Sequence, residues 1–120
     1  MRAAAHRYAR RSSPRRPSST EVAAPLRLVD VAARLPQAWS SSVLGSFGDA
    51  RLKLLRMAEA AYPEESHDYD EALLVLDGVM VLRIRGEVLR VEAGELYVVP
   101  AGVPHSVEGG SRGTLLIIDT

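Results

Sequence analysis

The chain has 120 residues, 47% of them hydrophobic, with fifteen basic side chains, fifteen acidic ones and no cysteine. That length fits one domain, and the missing cysteines exclude disulfides, thiolate nucleophiles and zinc–thiolate sites; any metal must be held by nitrogen and oxygen, and the composition suits a reducing, cytoplasmic setting. No apolar run approaches the roughly 20 residues of a membrane-spanning helix.

The neutral total hides an asymmetry. Six arginines and no acid occupy residues 1–20, which leaves nine basic against fifteen acidic groups, a net −6, in the remainder. An acidic body argues against a phosphate backbone as the main partner, so nucleic acid is not expected. Residues 1–25 are rich in Arg, Ser, Ala and Pro and nearly free of large aliphatics. They cannot bury enough surface to offset ordering entropy and read as a disordered basic tail, with His6 solvated. The Arg10-Arg11 pair and the Arg/Ser bias suggest an export or transit signal, but the hydrophobic segment that an export signal requires does not follow. Residues 26–120 form the folded domain.

Leu26 to Pro36 suits a short strand and then a helical turn opened by Asp30 and stopped by Pro36. Trp39 is placed to anchor this segment to the body. From Val43 onward the texture is β. Val43–Phe47 and Arg51–Met57 flank Gly48-Asp49, a tight-hairpin pair, and the faltering alternation at Leu54-Leu55 predicts a bulge. After a polar loop at Pro63–Asp70, the segments Ala72–Leu76, Val79–Arg85, Val88–Val91, Leu96–Val99, His105–Val107 and Thr114–Asp119 read as short strands. Gly78, Gly94, Pro100 and Gly102 mark turns between them. In Val79–Arg85, Met80, Leu82 and Ile84 make a dry face opposite Arg83 and Arg85. About eight short strands without a long helix predict an all-β antiparallel barrel or sandwich.

His67 and Glu71 lie four apart ahead of the Leu73–Leu76 run, and His105 follows a Gly/Pro corner. Two imidazoles and a carboxylate suit one divalent ion of iron, manganese, nickel, copper or zinc, with open positions left over. Taken singly, each side chain reads equally well as a solvated surface group.

Their spacing carries more. His67, three residues, Glu71, six residues, Gly78 reproduces all but the first His of one signature. Gly94, five residues, Pro100-Ala101-Gly102, two residues, His105 reproduces a second. These motifs resemble those of the cupins, and the resemblance runs from about Leu26 to Asp119, with an intermotif spacing typical of compact bacterial members. It implies a jelly-roll double-stranded β-helix with a metal in its pocket. Two departures stand out: the motif's first His falls at Glu65, which either coordinates as a second carboxylate or is a solvent-facing acid, and its final Asn falls at Gly109.

Around the pocket, Lys53, Arg56, Tyr97 and Met57 are candidates to border the interior, where a cation would orient a carboxylate-bearing ligand. Regular alternation allows only one of Lys53 and Arg56 to face inward, and Tyr97 and Met57 also suit plain core packing. The resemblance implies either a metal-dependent enzyme of oxygenase, isomerase, lyase or decarboxylase type, or a non-catalytic ligand-binding or sensor module that has lost its metal. Cupin regulators carry a helix-turn-helix, for which no helical segment is available here. A small-molecule ligand and a homodimer are the expected partners, because an unpaired sheet edge is otherwise a liability.

Overall fold

The computed structural model describes residues 24–120; the basic tail of residues 1–23, including His6, lies outside them. The described residues form helix α1 (Leu28–Ala33) and strands β1 (Ser42–Phe47), β2 (Ala50–Met57), β3 (Tyr62–Glu65), β4 (Glu71–Ile84), β5 (Glu87–Glu92), β6 (Leu96–Val99), β7 (His105–Val107) and β8 (Arg112–Asp119). All strand pairings are antiparallel, as the alternation predicts.

Strand β4 belongs to two sheets. Its first half pairs with β6 and β8, and β8 pairs in turn with β2 and β2 with β1. Its second half pairs with β5 and β7, and β7 pairs with β3. The two sheets close over an interior of Leu55, Leu73, Val75, Met80, Leu82, Val99, Leu115 and Ile117, all nearly inaccessible. This is the antiparallel barrel expected from the strand pattern, in the jelly-roll form that the cupin resemblance implies. One end is plugged by Trp39, whose ring lies 5.4 Å from that of Tyr62 and whose backbone N–H donates to the Arg56 carbonyl.

Several local expectations are corrected. Ala72–Leu76 and Val79–Arg85 are halves of one strand, and Gly78 bends that strand instead of closing a hairpin. Gly78 pairs with Gly113, and both have positive φ, 80° and 105°. A Cβ on Gly78 would stand 2.1 Å from the Arg112 carbonyl oxygen, and one on Gly113 would stand 2.0 Å from that of Asp77. Two backbones this close, beside a register shift between Val75 and Asp77, let β4 turn from one sheet into the other. The Asp-Gly signal was real, but the left-handed residue serves a bend.

The loop expected over Pro63–Asp70 begins as strand β3. Only Tyr62 and Glu65 of that strand are buried, and Pro63, which lacks an N–H, is tolerated because β3 is an edge strand. The bulge lies in β1, where Val43 pairs with Lys53 but Gly45 with Leu52, and not at Leu54-Leu55, where β2 pairs with β8 in unbroken register. Leu54 and Leu55 are both buried because β2 is covered on both faces: Leu55 joins the interior, and α1 packs across the outside of β2 and β8. That helix starts after Arg27 with no side-chain cap. Asp30 does not open it but sits in its first turn, where a carboxylate complements the helix dipole. No strand precedes the helix among the described residues.

Gly113→Ala is expected to lower the unfolding free energy by about 3 kcal/mol or more, since left-handed strain and overpacking add. Gly86→Ala, at a positive φ with nothing within 4 Å of the added Cβ, should cost only about 1–2 kcal/mol. Urea unfolding of both variants measures the difference, and equal losses would remove the close approach as its cause.

Candidate metal centre

Four polar side chains meet at the barrel end away from Trp39. Glu65 ends β3, His67 follows it, Glu71 opens β4 and His105 opens β7, and each is 2–4% exposed. Glu65 and His105 face each other as a register pair, as do His105 and Ile84 in β4. The Gly/Pro corner of the second motif clamps the loop of the first. The Gly102 N–H donates to the His67 carbonyl at 2.7 Å, and the Ala101 N–H donates to Asp70 Oδ1 at 2.8 Å. Gly102 has φ 80°, a conformation that suits glycine and aims its N–H at that carbonyl. Gly94 and Pro100 lie at the two ends of β6, at the expected corners.

The imidazoles are oriented from behind. The His67 ring stacks on Tyr69 with centroids 4.8 Å apart, and His105 Nδ1 lies 3.1 Å from the Val103 carbonyl. An Nδ1–H donated to that carbonyl leaves the His105 Nε2 lone pair for the pocket. His105 Nε2 stands 3.3 Å from Glu71 Oε1, and His67 Nε2 stands 3.3 Å from Glu65 Oε1 and 3.6 Å from Glu71 Oε1. Ligand atoms of Glu65, His67 and His105 all lie within 4.8 Å of one another. Although close, Glu65 Oε1, His67 Nε2 and His105 Nε2 meet no hydrogen-bond geometry among the described residues. Buried donors and acceptors left in this state are costly, and a cation among them removes the cost. Two nitrogens and two carboxylates fit a divalent transition ion. The turn between β3 and β4 brings Glu65, His67 and Glu71 together, and His105 joins them as the register partner of Glu65.

The remaining candidates separate by face. Lys53 points inward, one residue row deeper than the site, and its Nζ lies 2.6 Å from Asp119 Oδ2. Arg51 reaches the other oxygen of Asp119 at 3.5 Å. Asp119 stands next to Glu71 in the sheet, one residue beyond the Ala72–Ile118 pair. It was missed in the sequence because its strand runs Leu-Leu-Ile-Ile-Asp at the end of the chain and matches no motif. Arg56 is not a pocket residue: by alternation it faces outward, and its guanidinium donates to the Leu35 carbonyl at 3.1 Å. Tyr97 faces inward, half-buried against the core, paired with Leu73, and Met57 is core.

The family profile described as "Cupin domain" matches residues 54–120. The chain belongs to the cupin family. All four polar residues of the site lie within the matched segment. A cupin-2 domain protein from Shewanella frigidimarina is 28% identical, with a TM-score of 0.71 over 78% of this chain and 91% of its own. Two further solved structures show the same architecture. One, from Desulfitobacterium hafniense, is 24% identical over 87% of this chain and 96% of its own, with a TM-score of 0.68. The other, from Neisseria meningitidis, is 22% identical over 80% of this chain and 98% of its own, with a TM-score of 0.69. No curated protein matches. No helix among the described residues is long and apolar enough to cross a membrane.

Burial disfavours the His105 imidazolium, but Glu71, the Val103 carbonyl and the charge of Glu65 outweigh it and hold its pKa above the usual 6.5. A raised folded-state pKa stabilises the protein below the unfolded value, and that contribution is lost as pH rises through the folded value. The metal-free protein is therefore expected to lose stability relative to His105→Gln as pH rises above 6.5, and denaturant midpoints across that interval check the slope. Lys53→Met leaves Asp119 buried beside Arg51 alone and should cost on the order of 3–5 kcal/mol, whereas Lys53→Met with Asp119→Leu should recover most of it. A thermal or urea series on both variants reads this.

Proposed function

We propose that this cupin binds one divalent metal ion through His67, Glu71 and His105, with Glu65 as a second carboxylate, and acts on or binds a small polar molecule in the same pocket. The observation that carries this reading is the convergence of Glu65 Oε1, His67 Nε2 and His105 Nε2, buried and without hydrogen-bond partners among the described residues, with Glu71 Oε1 3.3 Å from His105 Nε2. When bound, such an ion of iron, manganese, nickel, copper or zinc supplies a Lewis-acid or oxygen-activating centre. The chain's own residues do the rest. Val103 and Tyr69 fix the two rings, and Glu65 and Glu71 balance charge. Oxygenase, isomerase and lyase chemistry are all compatible with this arrangement.

The second reading is a ligand-binding or sensor module without metal, favoured by Glu65 where the family motif has a first His and by Gly109 where it has Asn. In either reading, residues 26–120 act as one domain with residues 1–25 as a basic extension. The protein works in the cytoplasm as a homodimer.

Metal content tests the two readings. The untagged protein, purified without added metal and compared with His105→Ala by plasma mass spectrometry, should carry about one equivalent of a transition metal that the variant loses. A parent that stays empty after incubation with iron(II), manganese, nickel, copper and zinc would overturn the metal site and leave the module.

A further inference from the structure

Beside the metal centre, Arg51, Lys53 and Asp119 bring three more charges to the barrel interior. Arg51, Lys53 and Leu55 alternate along β2, and Leu55 lies in the core, so all three point inward. Asp119 on β8 is the register partner of Arg51 and stands next to Glu71 of β4. One inward row therefore runs Glu71, Asp119, Arg51 across three neighbouring strands. With strands about 4.8 Å apart, Glu71 and Arg51 are roughly 10 Å apart at the backbone. The three charges are not equally engaged. Lys53 Nζ lies 2.6 Å from Asp119 Oδ2, and both side chains are closed to water, at 4% and 0% exposed. The Arg51 guanidinium stands 3.5 Å from Asp119 Oδ1, and its side chain is 28% exposed. That separation exceeds the about 2.7–2.9 Å of a charge-assisted hydrogen bond. Among the described residues the guanidinium has no other protein partner.

We propose that Arg51 selects the ligand of this pocket, holding the carboxylate of a small hydroxy or oxo acid that carries one negative charge and offers an oxygen at its other end to the metal ion. The inference rests on the metal reading and names the ligand class. Charge decides it. A divalent ion between neutral imidazoles is balanced by Glu65 and Glu71, and Lys53 is balanced by Asp119. The charge of Arg51 is what remains. One carboxylate neutralises it, whereas an uncharged ligand leaves it unpaired and a dianion overshoots. In a partly buried pocket such a difference counts for more than it would in water. Shape points the same way, because the planar guanidinium cannot lose its proton and accepts both oxygens of a carboxylate at once. Lys53 is unsuited to the role, since its ammonium is held by Asp119 and closed to solvent. Arg56 lies on the other face of β2 with its guanidinium on the Leu35 carbonyl. Nor is Arg51 explained as a clamp on Asp119, which Lys53 already holds nearly an ångström closer.

The test is isothermal titration of the full chain, loaded with whichever of iron(II), manganese, nickel, copper or zinc it retains. The probes are glycolate, 3-hydroxypropionate and 4-hydroxybutyrate, each beside its uncharged amide. The parent is expected to bind at least one acid at least tenfold more tightly than its amide. Arg51→Gln should retain the same metal and lose that preference. Arg51→Lys should keep part of it, because the charge remains and the fork does not. Circular dichroism confirms that each variant folds, and the comparison of acid with amide on the parent needs no variant at all. A metal-loaded parent that binds no acid better than its amide, or a preference that survives in Arg51→Gln, would overturn the role of Arg51 and leave the metal site. A parent that takes up none of the five ions would overturn the metal reading and this inference with it.

Discussion

The candidate pocket depends on one bend. Glu71 begins the half of β4 that lies in the larger sheet, and His105 pairs against the half that lies in the smaller one. The two side chains can stand 3.3 Å apart only because one strand crosses between the sheets. That crossing is made by Gly78 and Gly113, whose backbones approach more closely than any side chain would allow. A substitution there would damage the pocket without touching any residue in it. The wall opposite Glu71 is placed by the same device, since β7 and β3 bring His105 and Glu65 into register against the second half of β4.

Burying this much charge runs against the packing of the core. Glu65, His67, Glu71, His105, Lys53 and Asp119 are all nearly inaccessible, in a domain whose core cluster is mostly Leu, Val, Ile and Met. Folded proteins accept such groups when each has a partner, and they rarely gain stability from them relative to apolar replacements. Lys53 and Asp119 satisfy each other at 2.6 Å. Glu65, His67 and His105 keep ring nitrogens and a carboxylate oxygen without a hydrogen-bond partner among the described residues. A local polar cost of this kind is what the proposed metal ion would offset.

Much of this arrangement was readable from residue order. The Gly48-Asp49 hairpin, the inward Met80-Leu82-Ile84 face and the gathering of His67, Glu71 and His105 follow from turn chemistry, alternation and motif spacing. Parity allows only one of Lys53 and Arg56 to face inward without saying which, and it is Lys53. What could not be read has a common cause, because periodicity describes a strand and not its neighbours. The unity of β4 depended on Gly113, thirty-five positions from Gly78. Leu54 reads as a break in alternation because α1 covers the outer face. Strand β3 buries only Tyr62 and Glu65, too few for a pattern. Asp119 acquires a role only beside Lys53 and Glu71, which its own segment does not reveal.

The position of β8 has a consequence for how the molecule is made. It is the last of the eight strands in the chain, yet it lies in the middle of the larger sheet, hydrogen-bonded to β2 on one side and β4 on the other. A nascent chain that has emerged through β7 carries the β1–β2 hairpin and β4 with facing edges open and nothing to join them. Such long-range pairings form slowly, and open apolar edges are where growing chains go astray. Synthesis therefore leaves this barrel ajar until β8 arrives, and the strand that completes it inserts like a keystone between two halves already in place.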